Sequence, residues 1–315
     1  MCNSTRDFFL KLPLLNQARE LHWRVVESNK LLESVQANIE RLADKSDSHV
    51  ALTDKLLNIM ADEYVSKYLH ENPKYSEPGR LNRYERQVFS QAGEDGIIDE
   101  IFTRVGTTNQ FFVEFGVGNG LENNTTCLLT KGWRGYWIEA RDEWVRHIER
   151  DFRDLLDTKQ LVVQQAFITA ENIESLFEAA NVPNEFDLLS IDVDGNDYWV
   201  WKAIASYNPR VVVVEYNALF GPDVRWAMRY NPAAIWNRTS YHGASLKSLE
   251  ALGEEKGYRL VGCSFAGVNA FFVRHDLVGD TFCAPFTAEN HYEPARYHLV
   301  RTVGHPRGFG DFVRP

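Results

Sequence analysis

Apolar positions divide the chain into stretches of different rhythm. In the first 75 residues they recur at three- and four-residue spacing: Val25, Leu32 and Ile39 lie seven apart and interleave with Ser28, Val35 and Leu42, with Glu, Lys, Arg and Asn between. That pattern predicts an amphipathic helix with a narrow seam. After the polar break Lys45-Ser46-Asp47-Ser48, a second amphipathic helix is expected over about 50–69, and Asn72-Pro73 with Ser76-Glu77-Pro78-Gly79 closes the region. Helices that bury only a stripe need a partner, so this region is expected either to pack within its own chain or to build a homo-oligomer.

From Phe89 onward the rhythm changes to short apolar runs alternating with helical periods. Strands are expected at 111–115, 135–139, 161–163, 186–191 and 210–215, with helices at about 121–132, 142–157, 170–180 and 197–207. Near-continuous apolar strands alternating with helices predict an α/β protein whose parallel sheet is covered on both faces. A helix at 245–255 then leads into strands at 258–263 and 269–274, joined around Gly267 as an antiparallel pair. The expected division is a helical region 1–75, an α/β domain 76–284 and a tail 285–315 packing on or near the active site.

Composition narrows the possible partners. With 34 Lys+Arg against 44 Asp+Glu the net charge is −10, and 44% hydrophobic residues suit an ordinary globular protein. An acidic chain repels phosphate backbones, which argues against nucleic acid as the main partner. The best N-terminal apolar stretch, 8–15, is interrupted by Lys11 and Pro13, so neither a transmembrane anchor nor a signal peptide is expected. Cys2, Cys127, Cys263 and Cys283 are scattered without metal or disulfide spacing, and a reducing, cytoplasmic setting is the expectation.

The chemistry gathers at the expected carboxyl ends of the strands. Phe111-Phe-Val-Glu-Phe-Gly-Val-Gly-Asn-Gly120 is a strand feeding a glycine-rich turn, where backbone can approach a ligand closely. Gly116, Gly118 and Gly120 break the dinucleotide spacing, because position 121 is Leu. Glu139, about 20 residues further on, ends the second strand where an acid accepts hydrogen bonds from a ribose diol. Ala166 and Phe167 end the third and are candidates for an adenine surface or for two more core residues. The fourth ends in Asp192-Val193-Asp194-Gly195-Asn196-Asp197, acids that repel one another and favour a proton or a cation, although Asp197 also suits a helix cap. Glu215 and Asn217 end the fifth and add oxygen ligands for a hard cation such as Mg2+.

Six motifs in order carry a resemblance over roughly 85–276: Ser90-Gln91-Ala92-Gly93-Glu94-Asp95, Val113-Glu-Phe-Gly-Val-Gly-Asn-Gly120, Asn123-Asn124-Thr125, Gly132-Trp-Arg-Gly-Tyr-Trp-Ile-Glu139, Ser190-Ile-Asp-Val-Asp-Gly195 and Asn269-Ala-Phe-Phe-Val273. The chain resembles the FkbM-like group of S-adenosylmethionine-dependent, Rossmann-like methyltransferases. The resemblance implies a seven-stranded, mostly parallel sheet with an antiparallel last strand. It also implies that Glu114 and the three glycines hold the methionine end of the cofactor, Glu139 the ribose, and that Asp192 borders the transferred methyl. Gln91, Asn124 and Ala140 join the expected cofactor contacts. Relatives mostly methylate hydroxyls of sugars, glycans or natural products; this chain departs from them in its N-terminal helices, its tail and Asp194, where relatives often carry Glu.

An alcohol is scarcely acidic, so O-methylation needs a base or a metal. Asp192, Asp194, Glu215 and Asn217 are the expected metal set, with Asp192 or His242 as base in a metal-free mechanism. Tyr216, Phe220, Trp226, Tyr230, Trp236 and Tyr241 make 216–242 an expected acceptor loop, since sugar rings stack on aromatics. Arg296, Arg301, Arg307 and Arg314, with His298 and His305, form a positive tail suited to a phosphorylated or nucleotide-linked acceptor. The rival functions are a nicotinamide-dependent oxidoreductase on a similar fold and a non-catalytic scaffold that oligomerises through its N-terminal helices.

Overall fold

A computed structural model describes residues 52–301, 305–310 and 312, together with 27, 30, 33, 34 and 36. The chain forms two compact units, Met1–Asp62 and Glu63–Pro315. The seam positions Val25, Ser28, Leu32, Val35, Ile39 and Leu42 lie outside the described residues. Residues 52–65 are helical, in line with the second amphipathic stretch, and in the first unit Leu52, Leu56 and Met60 are each more than half exposed. No helix among the described residues is long and apolar enough to cross a membrane.

The second unit is built on seven strands: β1 (Phe111–Phe115), β2 (Arg134–Glu139), β3 (Leu161–Gln165), β4 (Leu188–Ile191), β5 (Val211–Glu215), β6 (Tyr258–Cys263) and β7 (Asn269–Arg274). Their order is β3-β2-β1-β4-β5-β7-β6. The first five pair in parallel, and β7 runs antiparallel to both β5 and β6. This is the expected Rossmann-like sheet. The central strands are buried on both sides because alternate residues enter different cores, whereas the edge strand β3 exposes Val162. Val113, Ile138 and Val214 pack with α3 (Ile173–Ala179), α4 (Asp197–Ala203) and α5 (Leu246–Glu255), whereas Phe112, Trp137 and Val213 pack with α1 (Glu94–Val105) and α2 (Asp142–Asp151). The sheet order reverses between β1 and β4, so their diverging loops open a crevice at the carboxyl edge, where such sheets take ligands.

Three local expectations change. Helix α1 was not anticipated, although Ile97, Ile98, Ile101 and Phe102 form its buried face and Glu94 and Asp95 suit the positive end of its dipole. Of the expected 121–132 helix only Thr126–Leu129 is helical, because Asn123, Asn124 and Thr125 turn their donors onto Glu114. The expected 142–157 helix breaks at Phe152, whose ring packs edge-on against Trp137 at 5.0 Å.

The boundary expected at residue 75 also moves. Leu69 and Tyr75 share a cluster with Phe265, and the Tyr75 hydroxyl donates to Glu293, 2.9 and 2.8 Å from its two carboxylate oxygens. Lys74 Nζ adds an ion pair to Glu293 at 2.8 Å. Residues 63–75 therefore belong to the sheet domain. Part of the positive tail is ion-paired within the chain: Arg296 pairs with Glu293 at 2.9 Å and lies over the Phe265 ring, and Arg307 pairs with Glu122 at 3.0 Å. Arg314 lies outside the described residues.

Candidate active site

The β1 turn creates a slot at the sheet edge. Gly116 has φ +65 and runs so close to β4 that a Cβ there would lie 1.8 Å from the Asp192 carbonyl oxygen. Gly118 also has positive φ but faces open space. Gly120 differs from both: an added Cβ would meet Trp137 and Phe152, so this glycine serves packing behind the sheet and does not line the cavity.

A cavity of about 490 Å³ runs over the carboxyl ends of β1 to β4, lined by Gln91, Gly116, Gly118, Glu139, Ala140, Arg141, Trp144, Ala166, Phe167, Asp192 and Asp194. Glu139 accepts from the Gly118 and Arg141 amides at 2.9 Å each, which fixes its carboxylate at the end of β2. Phe167 is 45% exposed, so it is a surface of the cavity and not a core residue. Arg141 and Trp144, at the start of α2, escaped the sequence reading; their position just after a ligand-bearing strand end was the available signal.

A second cavity of about 230 Å³ shares Gln91, Gly116, Gly118 and Asp192 with the first and adds Glu114, Asn123, Asn124 and Asn269. Glu114 is already saturated. It accepts from the Asn123 side chain, the Asn124 and Thr125 amides, and the Thr125 and Ser190 hydroxyls. Its role is therefore to hold the 123–125 turn against β1 and β4, where direct contact with the methionine end was expected. Burial pushes it up to about 7, against the opposing pull of these hydrogen bonds.

The acidic cluster differs in membership from the expected set. Asp192, Asp197 and Glu215 bring carboxylate oxygens within 4.8 Å of one another. Burial first, then mutual repulsion with nearby acids, holds Asp192 and Glu215 well above the usual carboxylate range; Asp197 is pushed up to about 6, chiefly by burial. Asp197 also accepts from the Val193 and Gly195 amides, so it combines the turn-holding role with a place in the cluster. Asp194 is exposed, on a φ of +54, and turns into the neighbouring cavity. Asn217 is fully buried, and its amide nitrogen donates to the Ser240 and His242 carbonyls while its oxygen accepts from Leu219; this spends it on bracing the loop, and it is corrected out of the ligand set. His242 Nδ1 lies 3.9 Å from Glu215, and burial lowers the imidazole's pKa, favouring the neutral ring. Three oxygen donors at this spacing fit a hard divalent cation.

The expected acceptor loop divides into interior and lining residues. Tyr216 is a core residue, its hydroxyl donating to the Glu293 carbonyl at 2.6 Å, which corrects its expected substrate role. Trp226 stacks on Phe220 at 4.8 Å and supports Tyr241 edge-on. A cavity of about 410 Å³ is lined by Asp194, Arg229, Tyr230, Trp236, Asn237 and Tyr241. It meets the first cavity at Asp194, Ala234, Ile235 and Trp236. The last three walls were not singled out in the sequence except for Trp236.

No family model and no curated protein matches the chain. Solved structures similar to it include an S-adenosylmethionine-dependent methyltransferase from Clostridium acetobutylicum ATCC 824, at 11% identity over 69% of this chain and 98% of that one, TM-score 0.36. A precorrin-6y C5,15-methyltransferase from Geobacter metallireducens GS-15 follows at 11% identity over 62% and 95%, TM-score 0.34. The glycopeptide N-methyltransferase MtfA complexed with S-adenosyl-L-methionine matches at 13% identity over 59% and 96%, TM-score 0.35. Likeness this distant carries no conclusion about reaction or acceptor.

Proposed function

We propose that the protein is an S-adenosylmethionine-dependent methyltransferase that methylates a hydroxyl of a sugar, glycan or other natural product. The observation that supports this reading is the continuity of the cavities along the strand ends. Ala166 and Phe167 offer a surface for adenine, Glu139 a fixed carboxylate for ribose hydroxyls, and Gly116 a passage to Asn124 and Gln91, while Asp192 stands where the path crosses to the acceptor side. When bound, the cofactor supplies an electrophilic methyl on a cationic sulfur. The slot at Gly116 and the Asp192 backbone fix the direction from which an acceptor oxygen can approach, and positioning of this kind supplies much of the rate.

Asp192, with its raised proton affinity, is the base that takes the acceptor's hydroxyl proton. Asp197 and Glu215 keep that affinity high in the protein alone. A divalent cation held by Asp192, Asp197 and Glu215 would acidify the hydroxyl instead. Trp236, Tyr241 and Tyr230 give the acceptor cavity flat apolar faces interrupted by Asp194, Arg229 and Asn237, a mixture suited to a hydroxyl-rich ring.

The test is methyl transfer to a panel of glycans and sugar nucleotides, with and without a chelator. Transfer to hydroxyls is expected, and activity that survives thorough chelation removes the cation. A titration in which NADH binds in preference to S-adenosylhomocysteine sinks the reading in favour of an oxidoreductase.

A further inference from the structure

A fourth pocket, about 300 Å³, adjoins the cofactor cavities at Gln91 and is lined by Gln91, Glu122, Val300, Arg301 and Arg307. Glu122 also lines the cavity that holds Asn124 and Asp192, so the two spaces share a wall of two residues. Tail residues Val300, Arg301 and Arg307 thus line a space that adjoins these cavities at Gln91 and Glu122. Arg307 is held with its side chain only 8% exposed: Nη2 donates to the Ser90 carbonyl at 3.0 Å, and Nη1 lies 3.0 Å from Glu122. That buried Nη1 makes no hydrogen bond. A buried guanidinium nitrogen that is ion-paired but makes no hydrogen bond keeps N–H directions that a ligand oxygen can complete.

Charge points the same way. The two cofactor cavities are walled by Glu114, Glu122, Glu139, Asp192 and Asp194, with Arg141 as the one basic lining residue among the described residues. Such an enclosure welcomes a sulfonium and an ammonium and repels a carboxylate. We propose that Arg301 and Arg307 of the tail bind the α-carboxylate of the cofactor's amino-acid moiety, so that the tail is a cofactor-binding element. This rests on the methyltransferase reading. The acceptor cavity opens at the other side, beside Trp236, so an acceptor anion is the less favoured source of the same chemistry.

The experiment is calorimetric titration of the full chain and of Arg301→Gln and Arg307→Gln with S-adenosylhomocysteine and with 5′-methylthioadenosine, which lacks the amino acid. Loss of charge-assisted hydrogen bonds to a carboxylate is expected to weaken S-adenosylhomocysteine about ten- to a hundredfold in each variant while leaving 5′-methylthioadenosine within about twofold. The second ligand also reports that the variant is folded. Equal weakening of both ligands, or of neither, overturns the proposal; unchanged cofactor affinity with a raised KM for an anionic acceptor reassigns the arginines to the acceptor. Failure of the unaltered chain to bind either ligand counts instead against the methyltransferase reading itself.

Discussion

At the scale of single residues, Gly116 and Gly118 separate two effects that their shared positive φ conceals. An alanine at 118 has room, so Gly118→Ala is expected to cost about 1–2 kcal/mol from backbone conformation alone. Gly116→Ala adds a collision with the Asp192 carbonyl, and we expect a larger loss of urea stability together with loss of cofactor binding. Equal costs at both sites would contradict the close approach. The glycines were legible as a ligand turn, but the separate duty of Gly120 was not, because its partners Trp137 and Phe152 come from other elements. The same limit applied to Glu114, which looked like a ligand contact until its five donors were in view.

The carboxylates make a prediction with a definite sign. Glu114 at about 7 and Asp197 at about 6 are raised in the folded protein, so the native state holds protons that the unfolded chain releases near pH 4. Their penalty is absent below that pH and grows as pH rises through 6 and 7. A cationic sulfonium offsets it and a neutral thioether does not. The thermal shift given by S-adenosylmethionine minus that given by S-adenosylhomocysteine is therefore expected to widen from pH 5.5 to pH 8; a constant difference would show that the cluster does not face the sulfur.

Among the elements, the central strands were the most legible because both cores cover them, leaving apolar runs with little polar interruption. Helices were less so. The 121–132 stretch has a helical pattern, but the side-chain and backbone donors of 123–125 are drawn to Glu114, and tertiary hydrogen bonds override local preference. Asp187, which no motif marks, joins three elements: its carboxylate accepts from the Thr108, Asn109 and Gln110 amides and pairs with Arg210 at 3.1 Å. Asp187→Ala leaves the Thr108, Asn109 and Gln110 amides and the half-buried Arg210 without the buried carboxylate they share, and a loss of about 3–5 kcal/mol in chemical denaturation is expected, without a specific effect on cofactor contacts. Trp236→Ala, on the loop that lines both the 490 and the 410 Å³ cavities, is expected under the proposed function to raise the acceptor KM several-fold while leaving stability within about 0.5 kcal/mol, since that side chain is 43% exposed. Steady-state kinetics with the methylated acceptor decide it.

For the whole molecule, the sequence reading set a boundary at residue 75, whereas the two compact units divide after Asp62. Pro73 and Pro78 punctuate the chain near residue 75, yet the packing of Tyr75 on Phe265 and Glu293 is invisible without the fold. The exposed Leu52, Leu56 and Met60 keep the homo-oligomer proposal open to a direct check. Removing residues 1–62 is expected to lower the mass seen by light scattering to that of a single chain while cofactor affinity persists; an unchanged association state would remove that proposal.

The Tyr75–Glu293 contact also sets a schedule for biosynthesis. Its partners are 218 residues apart, so at 5–20 residues per second a ribosome delivers Glu293 about 10–40 s after Tyr75. Through that interval Tyr75 and Leu69 have no finished surface to cover them, and chaperones have their longest access to this segment. Strands β1 to β5 can pair while translation continues, but the seam that fastens Tyr75 to Glu293 closes only after residue 293 has been made.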